Sequence, residues 1–234
     1  MKIVVFYIFL IGDKCCNLEW RMGMEILLKG IKKSFNRPVL KDINMKIDND
    51  SYIAIEGKSG SGKSTLMNII GLIEDFDEGE YNFDGTIIQK GKDYSDIRLK
   101  NIGFIFQSYN LIPTLTCREN ILVPTMYGQK EKVNIDKLAK DLDITNLLDT
   151  GVNVLSGGEK QRVAIARSLI MDPSLIIADE PTGNLDQSNR EIVFDLLEKE
   201  HKKGRGIVMI THDPSTAMQA KKIYRLKEGM LYEK

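Results

Sequence analysis

This sequence lacks an excess of charge of either sign, a long apolar run and a cysteine-rich pattern. Lysine plus arginine and aspartate plus glutamate number 33 each in 234 residues, so the formal net charge is zero. A protein that mainly binds nucleic acid usually has a basic surface, so the balance argues against that class and leaves only a local basic patch open. No apolar run approaches the roughly 20 residues of a membrane helix. Action at a membrane would therefore require another polypeptide.

Cysteine is also scarce, and the rest of the composition is ordinary. The hydrophobic share of 42% and the charged share of 28% are typical of a globular protein. The length suits one large domain or a domain with a sub-domain. The three cysteines do not form a disulfide framework and favour a reducing cytoplasm; they are Cys15, Cys16 and Cys117.

Strand and helix patterns alternate along the chain, which predicts an α/β fold with a parallel core. Strands are predicted at 25–29, 39–47, 52–55, 102–106, 174–178, 206–210, 223–226 and 230–232, and a strand pair at 79–88 turns at Asp84-Gly85. Helices are predicted at 62–71, 157–171, 187–203 and 214–220. Further helices at 116–127 and 134–142 indicate a small helical insert over about 108–156.

A glycine-rich loop lies between a predicted strand and a predicted helix, and we call residues 57–65 the phosphate loop. It reads Gly57-Lys58-Ser59-Gly60-Ser61-Gly62-Lys63-Ser64-Thr65. Its glycines allow backbone N–H groups to point at phosphate, and the helix N-terminus adds partial positive charge. Lys63 is placed to reach the β- and γ-phosphates, and the Ser64 hydroxyl to bind Mg²⁺. The alternative is an ordinary glycine-rich turn, which the flanking strand and helix disfavour.

Acidic and polar side chains follow other predicted strands. An apolar strand ends at Asp179 and Glu180, and two carboxylates at such a place are costly unless they meet cations. Asp179 is predicted to bind Mg²⁺ and Glu180 to orient or deprotonate a water. Gln107 and His212 each follow a strand of the same sheet, where ligands gather in such folds, although either alone is more often a plain polar residue.

A second glycine-rich segment, residues 155–162, lies roughly ninety residues after the phosphate loop. It opens a predicted helix, so it offers a second anion site. One nucleotide needs only one phosphate cradle. The segment therefore predicts that each chain completes a partner's site, in an ATP-dependent dimer. It reads Leu155-Ser156-Gly157-Gly158-Glu159-Lys160-Gln161-Arg162.

Together these motifs resemble the nucleotide-binding subunit of ATP-binding cassette (ABC) transporters over residues 24–234. The resemblance implies a P-loop NTPase cassette with a RecA-like core, an antiparallel β sub-domain and an inserted α-helical sub-domain. It also implies ATP and Mg²⁺, with Lys63, Gln107, Glu180 and His212 as the catalytic set. The implied metal ligands are Ser64, Gln107 and Asp179.

The resemblance assigns further residues to the nucleotide. Phe35 would stack on adenine in place of the commoner tyrosine, or else be a core aromatic. Asp186 would link the two sites of the dimer. Glu159 stands where glutamine is more usual, and an acid there suits the helix dipole. The phosphate-loop contacts would be Gly57, Ser59, Gly60, Ser61, Gly62, Lys63, Ser64 and Thr65, and the contacts from the other copy Ser156, Gly157, Gly158 and Glu159.

Several stretches resemble the macrolide-exporter and lipoprotein-releasing group, which includes ATPases for bacteriocin or antimicrobial-peptide export. These stretches are 68–72, 103–116, 119–121 and 178–186. A homodimer or pseudo-dimer at the cytoplasmic face of the membrane would then power a permease, whose cytoplasmic helix would meet the helical insert. No nucleic acid is expected. The alternatives are a cell-division type signalling complex and an importer subunit.

The first residues do not fit the cassette. Residues 1–12 have a basic start and an apolar run like a signal-peptide core, but export would separate an ATP-binding protein from ATP. A buried first strand is a second interpretation. A start of translation at Met22 or Met24 is a third, since Trp20-Arg21 can be encoded TGGAGG. We expect 1–21 to be a non-native or disordered extension and 22–234 to be the ATPase domain.

Overall fold

The computed structural model describes residues 23–128 and 134–234, so the expectation for 1–21 lies outside the described residues. The strands are β1 (Glu25–Ser34), β2 (Pro38–Asp48), β3 (Tyr52–Glu56), β4 (Glu78–Phe83), β5 (Thr86–Ile88), β6 (Ile102–Ile105), β7 (Leu175–Asp179), β8 (Gly206–Thr211), β9 (Lys222–Lys227) and β10 (Met230–Glu233). The helices are α1 (Lys63–Ile70), α2 (Ser95–Asn101), α3 (Cys117–Leu122), α4 (Ile135–Asp141), α5 (Gly157–Leu169), α6 (Gln187–Lys202) and α7 (Pro214–Ala217).

A parallel sheet in the order β9-β3-β8-β7-β6 forms the centre of the fold. Every residue of β3 and β8 is buried, as expected for apolar strands covered on both faces. Alternate residues of β3 join different hydrophobic clusters: Ala54 packs with α5 and α6, whereas Ile53 and Ile55 pack with α1. The carboxyl ends of these strands therefore meet at one edge of a two-sided core.

An antiparallel sheet continues the parallel one. Strands β5, β4, β1 and β2 pair antiparallel, and β10 joins β2 to β9, so the described residues contain one ten-stranded sheet. The predicted turn at Asp84 and Gly85 is present, and both residues have positive φ. Strand β1 continues beyond the predicted end at Lys29. Gly30, with φ of 60°, lies at a register shift between Leu28 and Ile31, and this irregularity interrupts the alternation of side chains on which the prediction depended.

The helical insert is short and shares the core of the domain. Thr116 and Glu119 form a reciprocal capping box at the start of α3. Asn120 is fully buried, and its Oδ1 accepts a hydrogen bond from the N–H of Ile112 at 2.7 Å. Its Nδ2 donates to the carbonyl of Ile112 at 3.1 Å. Since Cys117 and Ile121 lie in the same cluster as residues of β7 and β8, the insert is packed onto the sheet.

Two helix predictions need correction. The predicted helix at 116–127 is α-helical only to Leu122 and continues as a 3₁₀ turn at Val123–Met126, because Pro124 has no N–H to donate. Helix α2 was not predicted. It buries none of its seven residues, so it has no apolar period by which a sequence pattern would reveal it.

Within 23–128 and 134–234, no helix combines the length and the apolar character needed to cross a bilayer.

Candidate active site

The phosphate loop follows β3 directly and leads into α1. Gly62 is the N-cap of α1 with φ of 102°, a conformation that L side chains rarely adopt. A Cβ added there would lie 2.9 Å from Cγ1 of Val39, so only glycine fits. No side chain caps this helix, so its first N–H groups stay available for an anion.

Two side chains of the phosphate loop point to an anionic ligand. The ammonium of Lys63 donates to the carbonyl oxygens of Gly57 at 2.7 Å and Lys58 at 3.1 Å, which holds it across the loop. The hydroxyl oxygen of Ser61 is buried without a hydrogen-bond partner among the described residues. A buried polar atom without a partner is costly. A phosphate oxygen in the loop would supply that partner.

A cavity of about 620 Å³ opens beside the loop, and we call it the phosphate-loop cavity. It brings together five segments that are far apart in sequence. Four of them follow the parallel strands β3, β6, β7 and β8, whose carboxyl ends share one edge of the sheet. Its lining consists of Phe35, Val39, Ser59, Gly60, Gly62, Lys63, Ser64, Thr65, Gln107, Asp179, Glu180 and His212.

The carboxyl group of Asp179 closes β7 in a half-buried position facing this cavity. Burial raises its pKa, the charge of Glu180 raises it further, and Lys63 opposes the shift. The ionised carboxylate is therefore incompletely compensated by the protein alone. A divalent cation at this point would stabilise it.

Glu180 directly follows β7, and its carboxylate is held by Thr211 and His212 at the end of β8. Its Oε1 accepts hydrogen bonds from the backbone N–H of His212 at 2.9 Å and from the ring Nδ1 of His212 at 2.6 Å. Its Oε2 accepts one from the hydroxyl of Thr211 at 3.1 Å. The backbone of Glu180 has φ of 47°, an unusual value for a residue with a side chain. Strain of this kind persists only where the surroundings impose it, and here three contacts do so.

Thr211 is a site residue that sequence reasoning missed. It is fully buried, and besides donating to Glu180 it accepts a hydrogen bond from the N–H of Asp213 at 3.0 Å. Its place before His212 was visible in the sequence. Its contact with Glu180 depends on the pairing of β7 with β8, which a local pattern does not show.

The loop after Gln107 is fixed from two sides. Asn184 donates to the carbonyl of Gln107 at 3.1 Å. The guanidinium of Arg167, on α5, donates to the carbonyls of Tyr109 at 2.7 Å and Asn110 at 2.6 Å. Both Tyr109 and Asn110 have positive φ. Arg167 therefore ties the Gln107 loop to the helix of the second glycine-rich segment, a contact that no sequence signal indicated.

The second glycine-rich segment begins α5 and lies apart from the cavity. Ser156 is the N-cap, and its hydroxyl accepts from the N–H of Glu159 at 3.3 Å. In return the carboxylate of Glu159 accepts from the N–H and the hydroxyl of Ser156, both at 2.7 Å. Residues 156–159 do not line the phosphate-loop cavity of their own chain.

Asp186 and Gly158 meet through a residue that was not predicted, Asn189. Asp186 is the N-cap of α6, and its Oδ1 accepts from the backbone N–H of Asn189 at 2.9 Å and from its side-chain amide at 3.0 Å. A Cβ added at Gly158 would lie 2.0 Å from Oδ1 of Asn189. Asp186 thus positions the side chain against which the second glycine-rich segment packs.

Comparisons with known proteins identify relatives of this chain. Residues 40–183 match the family described as ABC transporter. The macrolide export ATP-binding/permease protein MacB of Campylobacter jejuni is 42% identical over 211 residues, 87% of this chain and 33% of that protein. The ABC transporter ATP-binding protein YvrO of Bacillus subtilis is 42% identical over 217 residues, 88% of this chain and 95% of that protein. This chain spans about a third of the length of the MacB proteins it matches.

Two solved structures have the same fold. One is the dimeric structure of MJ0796, a bacterial ABC transporter cassette, with a TM-score of 0.80 and 35% identity over 89% of this chain and 97% of that chain. The other is a dimeric post-hydrolysis state of MJ0796 bound to ADP and Pi, with a TM-score of 0.79 and 36% identity over the same shares. These likenesses confirm the predicted fold class.

Proposed function

Because this chain belongs to the ABC transporter family as an ATPase cassette, we propose that two copies close around two ATP molecules and so drive a membrane permease that exports its substrate. In each site, the phosphate loop of one copy and the second glycine-rich segment of the other would hold one ATP. Export is the direction supported by the printed name of the MacB relatives, macrolide export.

One observation carries the dimer proposal. The phosphate-loop cavity contains Lys63, Gln107, Glu180 and His212, but residues 156–159 of the same chain lie outside it. The N–H of Glu159 is capped by Ser156, so the N–H groups of Gly157 and Gly158 at the start of α5 would form the second anion site, which has no phosphate cradle of its own. A second copy, placed head to tail, would bring them to the γ-phosphate. Closure would follow because ATP binds more tightly to the closed pair than to the single chains.

The residues of the cavity suit Mg²⁺ held partly by phosphate. The proposed ligands are Ser64, Gln107 and Asp179, a set with one carboxylate. Across the described ranges there is no group of three histidine, cysteine or acidic side chains that could hold a metal alone. Mg²⁺ is commonly bound by one or two carboxylates together with substrate phosphates, so this set fits. When bound, the ion would neutralise charge on the phosphates.

For hydrolysis, we assign the proton-accepting role to Glu180. Its carboxylate is oriented by Thr211 and His212, so an attacking water would meet an acceptor of fixed direction. The Nδ1 of His212 is engaged with Glu180, which leaves Nε2 free to face the γ-phosphate. Lys63 would hold the β- and γ-phosphates throughout. Gln107 would couple the cavity to the helical insert, because the loop that follows it is held by Arg167.

Contact with the permease is proposed at a groove beside the helical insert. This lateral groove has a volume of about 690 Å³, and its apolar lining includes Leu99, Phe104, Phe106, Val123, Tyr127 and Met171. Of residues 109–115, which precede α3, only Asn110 lines this groove, and Leu111 packs against the core. A cytoplasmic helix of the permease would place the chain at the cytoplasmic face of the membrane.

Co-purification tests the membrane partner. The Glu180→Gln protein, tagged in its native host and solubilised in mild detergent with MgATP, is expected to carry along a permease that mass spectrometry identifies. The matched control is the Lys63→Ala protein, which should bring less permease if closure around ATP strengthens the complex. A permease with a solute-binding protein would indicate import. A membrane protein of a signalling complex would support the cell-division alternative, and no membrane partner would contradict the transporter assignment.

Glu159 is expected to be a helix cap without a chemical role, which a Glu159→Gln variant tests. An amide oxygen can still accept from Ser156, so we expect ATPase activity within about twofold of wild type. The hydrogen bonds from Ser156 lower the pKa of Glu159. The carboxylate of Glu159 thus stabilises α5 at a pH above the pKa that this side chain has in the unfolded chain. The stabilisation is lost as the pH falls through its lower pKa in the folded chain.

Thermal unfolding and steady-state ATPase assays between pH 3 and 8 check this prediction. The glutamine variant should lose part of the acid-dependent change in melting temperature and keep its turnover at neutral pH. A large loss of turnover with unchanged stability would show that Glu159 has a role beyond the cap.

A further inference from the structure

Lys33, at the end of β1, is buried although it carries a charge. It is 6% exposed, while Phe35, two residues later, is 59% exposed. Fully buried lysines are rare unless they are paired. The ammonium of Lys33 donates to Oε1 of Glu74 at 2.5 Å and to the carbonyl of Asp75 at 2.7 Å. Two contacts from the segment after α1 therefore fix its position.

This fixed ammonium also lies over the ring of Phe35. Its Nζ is 5.0 Å from the ring centroid, within the range of a cation–π interaction. One face of the ring is covered by the cation, and the exposed ring borders the phosphate-loop cavity at the same time. Phe35 belongs to neither of the two hydrophobic clusters of the described residues, so its side chain is not anchored in the core. The cation of Lys33 is a contact that can orient the ring.

From this geometry we propose that Lys33 is the positioning residue for the nucleobase. It holds Phe35 from behind, so that the other face of the ring accepts a flat aromatic heterocycle by stacking. The proposal rests on the proposed function, since it requires that the triphosphate of a nucleotide lies in the phosphate loop. Lys33 itself would touch neither the base nor the phosphates.

The charge arrangement explains why a cation suits this position. Stacking on an aromatic ring tolerates many bases, so its strength depends on how firmly the ring is held. The Glu74 carboxylate balances the charge of Lys33, and the ammonium meets the negative face of the ring. A loss of this contact would leave Phe35 free to change rotamer and would weaken base stacking while the phosphate contacts stay intact.

Two probes separate these effects: ATP and inorganic tripolyphosphate, which has no base. For the full-length Lys33→Met protein we expect a three- to thirtyfold weaker affinity for ATP, the range of a cation–π contact, and an unchanged affinity for tripolyphosphate. The matched control is Lys32→Met, which removes an exposed lysine of the same strand that pairs with Glu78 at 2.6 Å. That variant should bind both probes like wild type.

A double-mutant cycle adds the decisive comparison. In a Phe35→Ala background, Lys33→Met should cause no further loss of ATP affinity, because the ring that it orients is gone. Equal losses of affinity for ATP and tripolyphosphate would overturn the proposal. So would a Lys33→Met effect on ATP affinity that is as large in the Phe35→Ala background as in the wild type. If Lys33→Met does not fold, Glu74→Ala serves instead. It should weaken ATP binding alone, and equal effects on both probes would again count against Lys33.

The outcome also distinguishes this inference from the proposed function. A wild-type protein that binds tripolyphosphate and not ATP would refute both. A wild-type protein that binds ATP as expected, with a Lys33→Met variant indistinguishable from it, would refute only the role of Lys33.

Discussion

Replacement of Glu180 by glutamine is expected to lower the ATPase turnover about 10²- to 10⁴-fold, the range of a lost general base, while ATP binding persists. An amide cannot take up a proton from water as a carboxylate does. The fold should tolerate the change. The new amide oxygen can accept from the N–H of His212, and its NH₂ group can donate to the hydroxyl of Thr211, which in the native protein donates to Oε2.

With hydrolysis blocked, the ATP-bound pair should accumulate. We therefore expect a dimer in size-exclusion chromatography or light scattering with saturating MgATP, and a monomer without nucleotide. Glu191→Gln is the matched control, since Glu191 is an exposed acid of α6 outside the cavity. Near-normal turnover of Glu180→Gln, or a protein that stays monomeric with saturating MgATP, would contradict the roles assigned here.

Replacement of Lys63 by alanine is expected to weaken ATP binding about 10- to 150-fold, which corresponds to one or more hydrogen bonds to a charged group. Lys63 is the cation of the phosphate loop that lines the cavity, and its ammonium also bridges the carbonyls of Gly57 and Lys58. Its removal takes away both a phosphate ligand and a contact that shapes the loop. The ATPase turnover should fall as the fraction of sites occupied by ATP falls.

Isothermal titration with ATP measures this effect, and a thermal melt confirms that the variant is folded. Lys90→Ala is the control for the loss of one lysine, because Lys90 pairs with Asp77 at the surface, away from the cavity. In contrast to Glu180→Gln, the Lys63→Ala protein should not dimerise at ATP concentrations that saturate wild type. Unchanged affinity would mean that the backbone of the loop holds the phosphates without it.

The elements predicted best were those with strong local signals. The buried strands β3, β7 and β8 match the strands predicted at 52–55, 174–178 and 206–210 to within a residue at each end, and α5 and α6 match the helices predicted at 157–171 and 187–203 to within two residues. The segment at 95–101 has no such signal, and Pro124 shortened α3 in a way that the periodic pattern alone did not show. Local sequence thus predicts an element when its own residues carry the burial pattern.

The candidate site follows the same division. The types and order of Lys63, Gln107, Glu180 and His212 were readable from the sequence, because glycine-rich loops and acids after apolar strands have chemical consequences wherever they occur. Their meeting in one cavity came from the strand order. The contacts of Thr211 with Glu180, of Asn189 with Gly158 and of Lys33 with Phe35 were invisible, since each partner is remote or lacks a motif.

By itself, the sequence determined the fold class and indicated the chemical groups of the candidate site, because these depend on local periodicity and on short motifs with a direct physical function. Only the tertiary structure decided which groups face each other. In the structure, the carboxylate of Glu180 contacts Thr211 and His212, and the ammonium of Lys33 lies over the ring of Phe35. Residues 156–159 lie outside the phosphate-loop cavity of their own chain. These arrangements depend on the packing of elements distant in sequence, in the case of Lys33 through its contact with Glu74, and a local sequence pattern does not reveal such packing.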